Sequence, residues 1–397
     1  MQDKVSLYVH VPFCTAKCDY CDFFSVPCAG GIQEDYVDAL LNEAAFYSAL
    51  YSSKDGLSGW KTIYIGGGTP SLLTPLQLER LIQGLKNLFP QKDPQEITVE
   101  MNPETLCREH LDVMAGLGVD RLSLGIQSLN EKALRSVNRH CDVEKCIKAL
   151  ELVKSAWKRD LNLDAIAGLG GISGREFEES LCSILQWEPQ HVSLYTLTIE
   201  EDTPLAKRID SGEEWNPDEA DGQWLMGRSI LKEKGFVQYE VSNFAKPGHE
   251  SIHNMTYWNQ DDYIGIGSGA TGSIYDFTDR GGFRYTNTRD IKRYCRFWTG
   301  SSITEEDMPR EREFLPLDVE EFEYIMMGLR TLRGINALEY KKRFSGLSWK
   351  GNLSERLGTS NGLWNDYVKR GMAMTSGEDY SLTEEGLLFL NSFLTSL

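Results

Sequence analysis

No stretch of this chain is apolar for long enough to cross a bilayer. The opening residues, Met1-Gln2-Asp3-Lys4-Val5-Ser6-Leu7-Tyr8-Val9, hold no signal-peptide core followed by a small-residue cleavage site. Positive charge is scarce: 41 Lys and Arg stand against 59 Asp and Glu, a formal net charge of −18. Such a surface repels a phosphate backbone, so no nucleic-acid partner is expected. The densest basic run, Lys341-Lys342-Arg343, reads as a solvated helix face. Repeats and low-complexity segments are absent, as is a second CxxC or HxxxH pair that would complete a zinc site. A disulfide framework is missing too: the 9 cysteines are an odd number, and Cys28, Cys107, Cys141, Cys146, Cys182 and Cys295 are scattered without pattern. These features point to a reducing, cytoplasmic setting. The 41% hydrophobic and 25% charged fractions are those of a globular protein, and 397 residues suffice for two domains.

Three cysteines do form a pattern. Cys14, Cys18 and Cys21 follow the first strand-like run at CxxxCxxC spacing, with Tyr20 just before the last. Three thiolates can hold three irons of a cubane cluster and leave the fourth iron open, and open positions are where metal sites do chemistry. The alternatives are a zinc site completed by His10 or Cys28, and three buried free thiols. The spacing favours the open cubane.

Apolar, β-branched runs alternate with amphipathic stretches along the first two hundred residues. Strands are predicted at Val5–Val11, Thr62–Ile65, Ile97–Glu100, Arg121–Gly125, Leu161–Ile166 and His191–Leu197. Helices are predicted at Gln33–Tyr51, Pro75–Phe89, Arg108–Leu117, Val143–Trp157 and Arg175–Leu185. This alternation gives an α/β fold with parallel strands and right-handed crossovers, and six units make a partial (β/α)6 barrel. Polar residues follow the strands: the cysteine loop, Gly66-Gly67-Gly68-Thr69-Pro70, Glu100-Met101-Asn102-Pro103, Gln127-Ser128, and Tyr195-Thr196, with Asp164 inside the fifth. The C-terminal ends of such strands share one mouth, so these residues are expected to meet there. Glycines admit close backbone approach, Glu100 and Asp164 accept hydrogen bonds, Gln127 both donates and accepts, and Arg139 can pair a carboxylate.

Tyr8-Val9-His10-Val11-Pro12-Phe13, Gly66 to Ser71, Gly125-Ile126-Gln127-Ser128 and Asn138-Arg139-His140 resemble the radical S-adenosylmethionine (radical SAM) family. The likeness is to its group of oxygen-independent coproporphyrinogen III oxidases and HemW-type heme chaperones, and it covers nearly the whole chain. The resemblance implies a 4Fe–4S cluster on Cys14, Cys18 and Cys21, with SAM chelating the fourth iron, and reductive cleavage of SAM as the family's chemistry. It also implies that Tyr8, Tyr20, Gly67, Gly68, Thr69, Glu100, Gln127, Arg139 and Asp164 match positions that contact SAM in the oxidase.

Within that group the chain looks like the chaperone branch. Phe23 stands where the oxidase carries a further cysteine, and the chain starts too near the loop to carry the oxidase's N-terminal extension. His253-Asn254-Met255-Thr256-Tyr257-Trp258 matches the HNxxYW motif of the chaperones, with Tyr239 to Phe244 similar just upstream. The resemblance implies His253 as a heme ligand; read from the residue alone, a buried core histidine is the competing reading, and His249 is a weaker candidate. The implied partners are heme, acceptor hemoproteins (respiratory, membrane-associated ones among them), and an electron donor such as flavodoxin or ferredoxin. Coproporphyrinogen oxidation is the alternative activity. Two departures from relatives stand out: Gly170 in place of proline, and Thr271 in place of histidine.

Near Pro309–Pro316 charge and proline mark an expected linker. The division is accordingly set at 1–308, the barrel with a heme- or substrate-side extension, and 309–397, a small domain. In the latter, helices at Val319–Leu329, Ala337–Phe344 and Leu363–Lys369, a hairpin at Met372–Thr375 and Tyr380–Leu382, and a closing helix Thr383–Leu394 resemble a winged helix.

Overall fold

A computed structural model describes residues 4–28, 31–277, 281–301, 303–345, 352–359 and 362–397; the first three residues of the opening run lie outside them. Six parallel strands run in sequence order: β1 (Lys4–Val11), β2 (Gly59–Gly67), β3 (Glu96–Met101), β4 (Arg121–Gln127), β5 (Asp160–Ala167) and β6 (His191–Thr196). β1 and β6 do not pair, so the barrel is open, as the six-unit reading predicts. Beyond β6 comes β7 (Asn243–Ala245), antiparallel, and then Val237–Gln238. Beyond β1 the sheet continues through β8 (Tyr263–Ile266), parallel to it, and the antiparallel β9 (Thr271–Ile274), β10 (Gly282–Asn287) and β11 (Arg310–Leu315).

The crossovers are α1 (Glu34–Asp55), α2 (Pro75–Asn87), α3 (Arg108–Leu117), α4 (Val143–Ala156) and α5 (Gly174–Leu185). Their starts are written locally. Thr74 and Gln77 form a reciprocal capping box before α2, with Pro75 at its first position, and Ser173 and Glu176 do the same for α5. The large core lies between sheet and helices. Val5, Leu7, Val9 and Val11 on β1, Ile63 and Ile65 on β2, and Leu122, Leu124 and Ile126 on β4 are essentially inaccessible on that side. The alternate residues, on the inner face, are polar: Ser6, His10, Thr62, Thr98, Ser123, Asn162 and Ser193 are all buried. They bond one another across strands, as in Thr62 to Ser6 at 2.9 Å and Asn162 to Ser123 and Ser193 at 2.9 and 3.0 Å.

The expected linker is a strand. Arg310–Leu315 pairs residue by residue with β10 at the sheet edge, although it falls on the C-terminal side of the expected 308/309 division. Its charges sit on an edge strand, where charged side chains are common because they discourage further pairing. A second hydrophobic cluster begins at Leu317 and runs to Phe393. It gathers α6 (Leu317–Gly328), β12 (Ile335–Asn336), the hairpin β13 (Ala373–Ser376) and β14 (Asp379–Leu382), and short helices at 337–343, 363–369, 384–387 and 390–394. The expected closing helix is thus two short ones. Among the described residues no helix is long and apolar enough to cross a membrane.

Candidate functional site

The loop after β1 is pinned at several points. The two-residue strands Phe13–Cys14 and Val26–Pro27 pair in parallel and close its base. The Asp19 amide donates to Val137 O at 3.0 Å, and the Asp19 carboxylate meets Arg208 at 2.7 Å. Below the loop, His10 Nε2 donates to Phe24 O at 3.0 Å; a carbonyl can only accept, so Nδ1 accepts from the Tyr8 hydroxyl at 2.8 Å. Gly67 needs its left-handed φ of 111°, and a Cβ on Gly68 would stand 2.6 Å from Phe13 O. The Gly-rich turn and the cysteine loop are therefore packed backbone to backbone.

An open cavity of about 340 Å³ lies over the C-terminal ends of β1 to β6. Cys14, Cys18 and Cys21 border it on one side. Among the described residues no three His, Cys, Asp or Glu side chains gather closely enough to hold a single metal ion, so the thiols border a space rather than a point. Burial pushes the Cys21 thiol up to about 11. Five carboxyl groups, Asp22, Glu100, Glu104, Asp164 and Glu200, line the same cavity against Lys17 and Arg139, which suits a ligand carrying positive charge.

Of the residues singled out from the sequence, Tyr20, Gly67, Gly68, Glu100, Gln127, Arg139 and Asp164 line this cavity with the cysteines. Glu100 accepts from the Tyr64 hydroxyl at 2.6 Å and the Gly67 amide at 3.0 Å. Burial raises its carboxyl to about 7, and it raises that of Asp164 to about 6. Gln127 holds a φ of 67°, a conformation uncommon outside glycine that concentrates at functional positions. The Arg139 guanidinium donates to Gly125 O at 2.7 Å and reaches Cys18 Sγ at 3.6 Å. Its Nε and Glu104 Oε2 are buried with no partner within the protein, which is what a site for a polar ligand leaves behind.

Tyr8 and Thr69 stand one layer back: Tyr8 supports His10, while Thr69 accepts from Asn102 Nδ2 at 3.0 Å and lies 3.6 Å from Cys14 Sγ. Asn102, in the polar run expected at the mouth after β3, lines the wall as that run predicts; Glu104, two residues further on, is a wall residue that the sequence reading does not single out. His140, Tyr195 and the exposed Phe23 complete the rim.

His253 is elsewhere. It is 1% exposed on the short helix Ile252–Trp258, at the opposite end of the barrel. The Thr62 hydroxyl donates to Ser6, so His253 Nδ1–H donates to Thr62 at 2.7 Å and Nε2 accepts from the Tyr257 hydroxyl at 2.8 Å. In this arrangement neither ring nitrogen is open to a metal, and ligation would require Tyr257 to leave. His249 Nδ1 is bound to Asp160 at 2.8 Å, away from the cavity. Gly170 has room, with Ser136 Cβ 3.5 Å from an added Cβ, and Thr271 pairs with Thr286 at 2.9 Å on the sheet extension.

The profile of the radical SAM superfamily matches residues 8–182. Over 98% of the chain, and 97% of the relative, the sequence is 32% identical to the heme chaperone HemW of Escherichia coli (strain K12). The heme chaperone HemW of Bacillus subtilis (strain 168) is 32% identical over 97% of each chain. Among solved structures, coproporphyrinogen III oxidase (HemN) from Escherichia coli, a radical SAM enzyme, superposes with a TM-score of 0.79 over 99% of this chain and 89% of that one, at 21% identity. That last likeness concerns the fold.

Proposed function

The chain belongs to the radical SAM superfamily, in the family of the HemW heme chaperones, and from that premise we propose that it is a cytoplasmic heme chaperone. It takes up heme and passes it to acceptor hemoproteins, respiratory and membrane-associated ones among them. The observation that carries this reading is the end-to-end likeness to heme chaperones, which spans the cavity, the sheet extension and the C-terminal unit alike.

The superfamily uses a 4Fe–4S cluster and SAM, and the cavity residues fit both. Cys14, Cys18 and Cys21 would hold three irons of the cluster and leave the fourth for SAM. Glu100 and Asp164 would accept from the hydroxyl and ammonium groups of SAM, Gln127 and the Gly67–Gly68 backbone would serve its polar edge, Arg139 would pair its carboxylate, and Tyr20 would complete the wall beside it. Tyr8 and Thr69 position this set from behind. When bound, the cluster supplies single electrons, delivered by a donor such as flavodoxin or ferredoxin. The chain divides into two units after Leu315, and the C-terminal unit, winged-helix-like in its element order, offers a surface for the acceptor.

The decisive experiment scores two reactions side by side on anaerobically reconstituted protein: heme transfer to an apo-hemoprotein, and turnover of coproporphyrinogen III with SAM. Transfer without turnover is expected. Protoporphyrinogen IX formed at a catalytic rate would overturn the reading in favour of the oxidase.

A further inference from the structure

Two side chains that reach the cluster cysteines meet at a third. The Thr69 hydroxyl lies 3.6 Å from Cys14 Sγ, and Arg139 Nη1 lies 3.6 Å from Cys18 Sγ. Between them stands Asn102, whose side-chain amide bonds to both residues. Its orientation follows from chemistry. A guanidinium can only donate, so Asn102 Oδ1 accepts from Arg139 Nη2 at 3.3 Å, and Nδ2 is left to donate to Thr69 Oγ1 at 3.0 Å. Because the Thr69 oxygen accepts there, its own hydrogen is free to point at Cys14 Sγ. Arg139 Nη2 also donates to Gly125 O at 2.7 Å, which fixes the guanidinium plane and aims Nη1 at Cys18.

Asn102 is itself held firmly. It is the first residue after β3, and Pro103 behind it keeps its backbone extended. Its backbone N–H donates to Ser71 Oγ at 3.0 Å, in the turn that follows β2. Its carbonyl accepts from the Thr105 and Leu106 amides at 3.2 and 3.1 Å. The second hydrogen of Nδ2 faces Glu104 Oε1 at 3.5 Å. Flipping the side chain would set two donors against each other at Arg139, so the arrangement runs one way only.

A hydrogen bond to a thiolate that ligates iron favours the more negative, reduced state of a cluster, and is one of the levers that set its potential. We propose that Asn102 is a positioning residue for the cluster. It orients the Thr69 hydroxyl onto Cys14 and the Arg139 guanidinium onto Cys18, and so raises the potential at which the cluster accepts an electron. Asn102 acts through these two neighbours, so its effect depends on their presence. The step concerned is the gain of one electron by the cluster, and no proton leaves these side chains. The inference rests on the cluster assignment made above.

The test is a redox titration of anaerobically reconstituted protein without SAM, read by the electron paramagnetic resonance signal of the reduced cluster. Iron per chain is measured alongside. Thr69→Val removes the donated hydrogen at nearly the same shape and is expected to lower the midpoint, while Thr69→Ser, which keeps the hydroxyl, is expected to stay near wild type. Asn102→Ala is expected to cut the reduced-to-oxidised ratio about tenfold at the wild-type midpoint, a shift of about 59 mV for one electron. In the double variant carrying Asn102→Ala and Thr69→Val the shift is expected to fall clearly short of the sum of the two, because Asn102 reaches Cys14 only through Thr69. Asn102→Asp still pairs Arg139 but draws the Thr69 hydrogen to itself. It is expected to show the same shortfall on Thr69→Val, and it decides the matter if the alanine variant takes up no cluster. An unchanged midpoint in Asn102→Ala, or full additivity with Thr69→Val, overturns the assignment while leaving the cluster standing. Wild-type protein that gives no 4Fe–4S signal at all overturns the cluster reading itself.

Discussion

The carboxyl of Glu100 is raised to about 7 because it is buried at the cavity wall. The ionised carboxylate is the far stronger acceptor for the hydroxyl and ammonium groups of SAM, so cofactor affinity becomes linked to pH. At about pH 8 roughly nine-tenths of Glu100 is ionised, and at about pH 6 roughly one-tenth, so apparent affinity falls about tenfold, or about 1.4 kcal/mol. Asp164, raised to about 6, goes from fully to half ionised over the same interval and adds about a factor of two. Together they predict about twentyfold weaker binding at the lower pH.

The variant Glu100→Gln keeps the size of the side chain, removes its titration, and should leave about the twofold dependence of Asp164. SAM has titrations of its own, but they are common to both proteins and cancel in the comparison. The assay is calorimetric titration of anaerobically reconstituted protein with SAM at each pH. Parallel pH slopes for wild type and variant would refute the reasoning. The same shift has a sign for stability in the ligand-free protein. A carboxyl held above its unfolded value stabilises fully below about pH 4.5, and that contribution is lost as pH rises through about 7.

Three further outcomes are expected. Cys18→Ala abolishes the iron–sulfur absorbance of reconstituted protein while far-ultraviolet circular dichroism stays unchanged; full cluster content in the variant would contradict the assignment. Gly68→Ala drives a Cβ into the backbone at Phe13, 2.6 Å away, and should lower iron content per chain; normal iron content would show that the loop tolerates the shift. His253→Ala leaves the Thr62 and Tyr257 hydroxyls short of a partner and should destabilise the protein by about 1–3 kcal/mol in urea unfolding at neutral pH. Burial lowers His253 to about 3, so its contribution as a neutral imidazole is present above about pH 6.5 and fades as pH falls; a midpoint equal to wild type at neutral pH would contradict this role.

All six barrel strands were legible because each is a short apolar run bounded by turn chemistry, and three of the helices between them announce their starts through Thr74, Asp142 and Ser173. Errors came at the ends. α1 runs on to Asp55 and stops only where Gly56 takes a left-handed φ of 70°, four residues beyond the expected Tyr51. The strand Arg310–Leu315 was read as a linker since its only partner, β10, begins at Gly282, and no local pattern reveals a long-range edge pairing. The cavity was legible for a topological reason: parallel strands end on one side, so polar residues after each strand must meet. What local reading cannot supply is depth. Tyr8 and Thr69 look like wall residues and prove to be the layer behind it. His253 owes its burial to Thr62, 191 residues away in the chain.

The position of His253 also explains what the HNxxYW segment does for the barrel. With the strands' inner faces polar, the interior holds a buried pair, Arg121 with Glu96 at 3.3 Å, which a low-dielectric interior penalises unless further hydrogen bonds satisfy it. The segment supplies them: the amides of Ile252 and His253 and the Ser251 hydroxyl all donate to the Glu96 carboxylate, at 3.2, 3.0 and 3.2 Å. Thr256 meets Ser6 at 2.8 Å, and His253 stacks on Tyr64 at 4.8 Å. Tyr64 in turn donates to Glu100 on the cavity wall. The motif is thus the floor of the barrel, joined through one tyrosine to the carboxylate that lines its mouth. A substitution there can weaken cofactor or heme binding through Tyr64 and Glu100 without His253 ever touching iron. Loss of heme in a His253 variant is therefore evidence of ligation only if the unfolding midpoint and the pH profile of SAM binding are both unmoved.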